Sequence, residues 1–190
     1  MKIKISFFSI LMFASLIFTK SYYALIPLSV AILHELGHIL CAKLRRVTLK
    51  CMDIGIFGAR ITLDRRIYSY ADEMIVCIGG PAANIVLGDI VLIVSKAFNI
   101  NSDTIDFFLL SSFSLGAINL LPIKSFDGGR MLFALLAQNR SLNTAERILS
   151  LSSFLSLFVL WSISLYLLLR TSSSLSLFIF SIAVFATIFV

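Results

Sequence analysis

Residues 22–44 read YYALIPLSVAILHELGHILCAKL and place His34, Glu35 and His38 inside a run that is apolar up to Lys43 near its end. About 20 apolar residues are needed for a helix to cross the roughly 30 Å hydrocarbon core of a bilayer, so this stretch is long enough to be a membrane span. Ionisable groups at membrane depth are costly and mark functional positions. His34 and His38 are four residues apart, so a helix puts them on one face. Two imidazoles on one face can hold one metal ion, and the adjacent Glu35 can take a proton from metal-bound water. The plainer alternative is a pair of histidines hydrogen-bonded within a helical bundle, with Glu35 as partner. That alternative leaves three polar groups buried without a purpose that offsets their desolvation. With the helix expected to end near Leu44, the pair lies roughly 9–15 Å in from that end at 1.5 Å per residue.

The rest of the chain supports a membrane setting. Of its 190 residues, 59% are apolar and 14% are charged. Ordinary globular chains are about 45–50% apolar, and one of this size has no core large enough for the excess. Because open sheets leave backbone groups unsatisfied in lipid, the spans are expected to be helical. The expected fold is therefore an all-α polytopic membrane protein with six spans: 5–19, 22–44, 71–97, 105–121, 145–169 and 174–190. The first, preceded by Lys2 and Lys4, resembles a signal peptide, but no small-x-small cleavage site follows it cleanly. A short β-hairpin is expected at the membrane interface over 47–63, where β-branched residues partly alternate and Gly55 and Gly58 interrupt. The chain is expected to be a single domain, 1–190, with a core at 22–137, C-terminal helices at 145–190 and no soluble appended domain.

Charge orients this map. Six spans put both termini on one side, which then holds thirteen Lys and Arg residues (2, 4, 43, 45, 46, 50, 60, 65, 66, 124, 130, 140, 147). The other side holds only Lys20, Lys96 and Arg170. By the positive-inside bias, both termini face the cytoplasm of a multi-pass protein of the cell membrane, with the histidine pair toward the cytoplasmic side. The same bias accounts for the net charge of +6, so no nucleic-acid partner is implied. Cys41, Cys51 and Cys77 have no framework spacing and read as free thiols.

A catalytic zinc site has three protein ligands and one open position. With no third histidine, a carboxylate or thiolate must complete it, and Asp127 stands out within Asn119-Leu120-Leu121-Pro122-Ile123-Lys124-Ser125-Phe126-Asp127-Gly128-Gly129. Pro122 ends the preceding helix. Irregular backbone at membrane depth is tolerated where it lines protein or a water-filled cavity. By itself, Asp-Gly-Gly equally suits a turn or cap before a helix over 128–137. Cys41, three residues past His38, is the other candidate ligand. Gly79-Gly80-Pro81-Ala82-Ala83-Asn84 offers small residues for close helix packing. Its Asn84 reads either as an interhelical hydrogen-bonding group or as a group near a substrate.

These three motifs, HELGH at 34–38, GGPAAN at 79–84 and N-x-x-P-x-x-x-x-D-G-G at 119–129, occur in the order found in the site-2 protease family (M50) of intramembrane zinc metalloproteases, which the chain resembles over roughly 22–137. The layout is most similar to the bacterial branch that processes a sporulation sigma-factor precursor. Members of that branch usually carry a C-terminal nucleotide-sensing domain, which the 190 residues do not include. The resemblance implies one zinc ion held by His34, His38 and Asp127, Glu35 as general base, and Asn119 near the substrate carbonyl. It also implies a membrane-embedded or membrane-associated protein substrate, often a regulatory protein, in a lipid bilayer. A membrane inhibitor or regulator protein and a homo-oligomer remain compatible with it. The reaction expected is peptide hydrolysis by metal-activated water. The 47–63 strands either pair with an unwound substrate or anchor the loop. Two other classes stay open: a zinc-binding transporter or sensor, which needs a polar path that the outward halves of the spans do not supply, and an inactive membrane-binding protein, against which the intact Glu35 argues.

Overall fold

The structure, a computed structural model, describes residues 2–5, 23, 25–47, 49–55, 58–63, 69–171, 182 and 184. The expected spans at 5–19 and 174–190 lie almost entirely outside these. The described chain is mostly helical: α1 (Leu25–Leu44), α2 (Tyr70–Ala97), α3 (Asp103–Asn119), α4 (Asp127–Asn139) and α5 (Leu142–Thr171). Three short extended segments, β1 (Lys2–Ile5), β2 (Leu49–Gly55) and β3 (Gly58–Leu63), pair in the order β1-β2-β3, with β1 parallel and β3 antiparallel to β2.

Helices α1, α2 and α5 are long and apolar enough to cross a membrane. At 17 residues, α3 reaches about 25 Å, short of the roughly 30 Å core. It ends at Asn119, because Pro122 disfavours helical backbone just ahead of it and cannot continue the ladder.

The chain divides into two compact units, Met1–Ile118 and Asn119–Val190. In the first, α1 packs along α2. The contact is set by glycine, because a Cβ on Gly37 would lie 2.3 Å from the Gly79 carbonyl oxygen and 2.7 Å from Ala83 Cβ. Two backbones approach this closely only where one side chain is missing. The face of α1 turned inward is Val30, His34, Gly37, His38 and Ala42. Ile32, Leu36, Leu40 and Leu44 are turned out, each at least half exposed. Polar groups inside and large aliphatics outside invert the usual arrangement of a water-soluble protein, and that is what a lipid surround rewards. The entry to α2 is fixed by a capping box in which Ser69 Oγ accepts the Asp72 N–H and Asp72 accepts the Ser69 N–H. Arg45, just past α1, reaches the same Asp72 at 2.7 Å.

In the second unit, the 120–126 loop runs into α4 by a tight fold. A Cβ on Gly128 would fall 2.1 Å from the Leu120 carbonyl oxygen, and one on Gly129 2.0 Å from that of Ile123. The two glycines are therefore required by close backbone approach. Ile123 and Phe126 are buried beneath the loop. Ser153 of α5, fully buried, accepts the Lys124 N–H at 2.9 Å and shares its own proton between the carbonyls of Leu149 (2.7 Å) and Pro122 (3.3 Å). Helix α4 begins at Asp127 itself and extends to Asn139, slightly longer than the 128–137 expected. Asp127 is its first residue, and the capping position belongs to Phe126.

Candidate metal centre

His34 and His38 sit on one helical face as their spacing dictates, 4% and 5% exposed, with ring planes 85° apart and Nε2 atoms 3.2 Å apart. Two nitrogens bound about 2.0–2.1 Å from one tetrahedral ion lie about 3.3–3.4 Å apart, so the observed spacing is that of two ligands aimed at a common point. The backbone facing them is Gly80 of α2. A Cβ there would be 2.4 Å from His38 Nε2 and 2.7 Å from His34 Nε2. Only glycine leaves that point open, which accounts for the second glycine of the 79–84 motif.

The tautomer of His38 is set by the backbone. His38 Nδ1–H donates to the Val76 carbonyl at 2.7 Å. The Gly80 N–H also points at this nitrogen, from 3.3 Å, and the shorter contact, to an oxygen that only accepts, favours the proton on Nδ1. With its proton on Nδ1, His38 presents the Nε2 lone pair toward His34. A metal-ligating histidine is oriented in this way by the partner of its other nitrogen. His34 Nδ1 instead meets the Asn84 carboxamide nitrogen at 3.1 Å.

His34 and His38 on α1 offer two imidazole nitrogens, and Asp127, the first residue of α4, offers a carboxylate oxygen. Two imidazole nitrogens and a carboxylate oxygen suit zinc, and three protein ligands leave a position open. The donor set, the Nε2 spacing and the glycine-lined opening fit the ion. Cys41, the other sequence candidate, has its Sγ against Gly79 instead. Glu35 follows His34 on α1 and is half-buried, as is Asn119 at the end of α3. Sequence reasoning did not find the Val76 carbonyl or the contact from Asn84 to His34. A backbone carbonyl carries no sequence signal, and the partner of a buried amide is decided by which helix faces it.

The profile described as Peptidase family M50 matches residues 95–163, a stretch that contains Asp127. Zinc metalloprotease MJ0392 of Methanocaldococcus jannaschii is 31% identical over 161 residues, which are 80% of this chain and 47% of that protein. Stage IV sporulation protein FB of Bacillus subtilis is 28% identical over 122 residues, 64% of this chain and 42% of that protein. The chain thus spans under half the length of these curated relatives. Among solved structures, the site-2 protease from Methanocaldococcus jannaschii superposes with a TM-score of 0.65 at 25% identity, covering 98% of this chain and 88% of that one.

Proposed function

The chain belongs to peptidase family M50, and from that premise we propose that it is a zinc-dependent intramembrane endopeptidase of the site-2 type. One observation carries the reading: a helix apolar enough to span a membrane buries two imidazoles whose Nε2 atoms converge at 3.2 Å. His34, His38 and Asp127 would hold the zinc. Bound zinc would supply Lewis acidity, which lowers the pKa of water to about 7.

The remaining chemistry falls to the chain's own residues. Glu35, beside His34, accepts the proton of the attacking water and returns it to the leaving amine as the peptide bond breaks. Asn119 donates a hydrogen bond to the carbonyl oxygen as it gathers negative charge. The inward-facing polar stripe of α1 keeps these groups away from lipid, while its outward Ile and Leu residues face the acyl chains.

The substrate proposed is a membrane-embedded or membrane-associated regulatory protein, with a sporulation sigma-factor precursor as the first candidate. The full arrangement proposed is six spans in the cell membrane, both termini cytoplasmic and the site nearer the cytoplasm. The thirteen-to-three division of Lys and Arg supports it. The β2–β3 ribbon is the proposed docking edge for an unwound substrate, by strand addition. The test is co-expression with tagged candidate precursors, comparing wild type with Glu35→Gln. Cleavage is expected from wild type and absent from Glu35→Gln, and cleavage by both at equal rates defeats the mechanism.

A further inference from the structure

Asn84 lies one turn past Gly80, on the face of α2 that meets the histidines. Its side chain is fully buried, and its backbone carbonyl accepts the Ser112 hydroxyl at 2.8 Å, which ties this turn of α2 to α3. The carboxamide nitrogen lies 3.1 Å from His34 Nδ1, while Oδ1, also buried, meets no donor among the described residues.

The proton of His34 explains why a carboxamide stands here. A neutral imidazole carries one proton, on Nδ1 or on Nε2, and the other nitrogen accepts. With the proton on Nε2, the contacts form a relay. The Asn84 amide N–H donates to His34 Nδ1, His34 Nε2–H donates to His38 Nε2, and His38 Nδ1–H donates to the Val76 carbonyl. A ligating His34 Nε2 must instead present its lone pair, so the proton moves to Nδ1, and Nδ1–H needs an acceptor where the amide nitrogen now stands. A half-turn of the carboxamide exchanges nitrogen for oxygen with almost no change of shape.

We infer that Asn84 is the positioning residue of His34, turning its amide oxygen to Nδ1–H when His34 ligates through Nε2. The inference rests on the assignment of His34 and His38 as zinc ligands. It gives the two ligands different supports. His38 is oriented by the backbone, chiefly by the Val76 carbonyl at 2.7 Å, which only accepts and so favours the proton on Nδ1. His34 is oriented by a side chain that serves either tautomer and that mutation can remove. A hydrogen-bonding role confined to helix packing, the alternative reading of this residue, is met by the Ser112 bond to its backbone and does not call for a carboxamide.

The test is zinc affinity, measured by competition with a chelator on the full chain in detergent micelles, for wild type, Asn84→Asp and Asn84→Leu. Aspartate keeps an acceptor oxygen in nearly the same shape and has no N–H, and leucine keeps the bulk and neither function. Asn84→Leu is expected to bind zinc about 10–100-fold more weakly, and Asn84→Asp within about threefold of wild type or tighter. Equal affinity in wild type and Asn84→Leu overturns the inference. So does Asn84→Asp as weak as Asn84→Leu, because the donor would then be the function that matters. Wild type that takes up no zinc overturns the ligand assignment itself, a separate outcome. Should Asn84→Leu fail to fold, wild type decides. The chain has only two histidines, so the zinc-loaded, ¹⁵N-histidine-labelled protein gives a simple imidazole spectrum. Protonated Nδ1 on both rings is expected, and a ring metallated through Nδ1 overturns the inference.

Discussion

Replacing Gly80 by alanine tests the centre most directly, because it adds one methyl group at the point the two imidazoles face. The new Cβ would lie 2.4 Å from His38 Nε2 and 2.7 Å from His34 Nε2, against an ordinary contact of 3.4–4 Å. Relief requires each ring to retreat by about 0.7–1 Å, distances at which Zn–N bonds of about 2.0–2.1 Å cannot both survive. Neither ring has an easy retreat. His38 is tethered to the Val76 carbonyl on α2, and α1 is held against α2 at Gly37 and Gly79. A misplacement of this size costs on the order of 10²-fold in rate, and zinc content should fall well below one per chain. The assay is metal analysis of the purified protein after brief dialysis, alongside cleavage of a co-expressed precursor. Gly116→Ala is the matched control, because its Cβ would meet neighbours only at 3.4–3.5 Å and the protein should keep its zinc. Full zinc and full cleavage in Gly80→Ala would refute the claim that the two Nε2 atoms share one ion.

Three further outcomes follow from the same structure. Asp127→Ala should bind zinc far more weakly while leaving the helical circular dichroism unchanged, and stoichiometric zinc at wild-type affinity would remove Asp127 from the ligand set. Ser153→Ala should remove the acceptor of the Lys124 N–H at a cost of about 0.5–1.5 kcal/mol, read as a lower Tm in detergent, and an unchanged Tm would show that the loop before Asp127 does not depend on this bond. Gly37→Ala should drive α1 from the Gly79 carbonyl and cost about 1–3 kcal/mol in thermal unfolding, whereas a neutral result would mean the helices separate freely.

The membrane setting and the candidate ligand residues were legible in the chain itself. Hydrophobic runs long enough to span lipid can be read from length and composition, and α1, α2 and α5 fall where such runs were expected. The four-residue spacing of His34 and His38 determines a shared helical face with no knowledge of the neighbours, and Asp127 stands out once the histidines leave a ligand missing. Boundaries were less legible where backbone approach decides them. Asp-Gly-Gly reads as a turn or cap before a helix over 128–137, whereas the helix takes in Asp127 as its first residue, with the preceding loop folded to within contact of the Gly128 and Gly129 α-carbons. The 105–121 run reads as a span, but the helix stops at Asn119, ahead of Pro122.

What only the tertiary structure decided is how α1 and α2 meet. Local periodicity fixes which residues share a face of one helix, and it carries no information about which turn of another helix lies opposite. That register puts Gly80 where any side chain would close the site, the Val76 carbonyl where it fixes the proton of His38, and Asn84 where its amide reaches His34. The sequence by itself determined which atoms can bind a metal. The packing of two glycine-bearing helices decided which lone pairs are turned toward it.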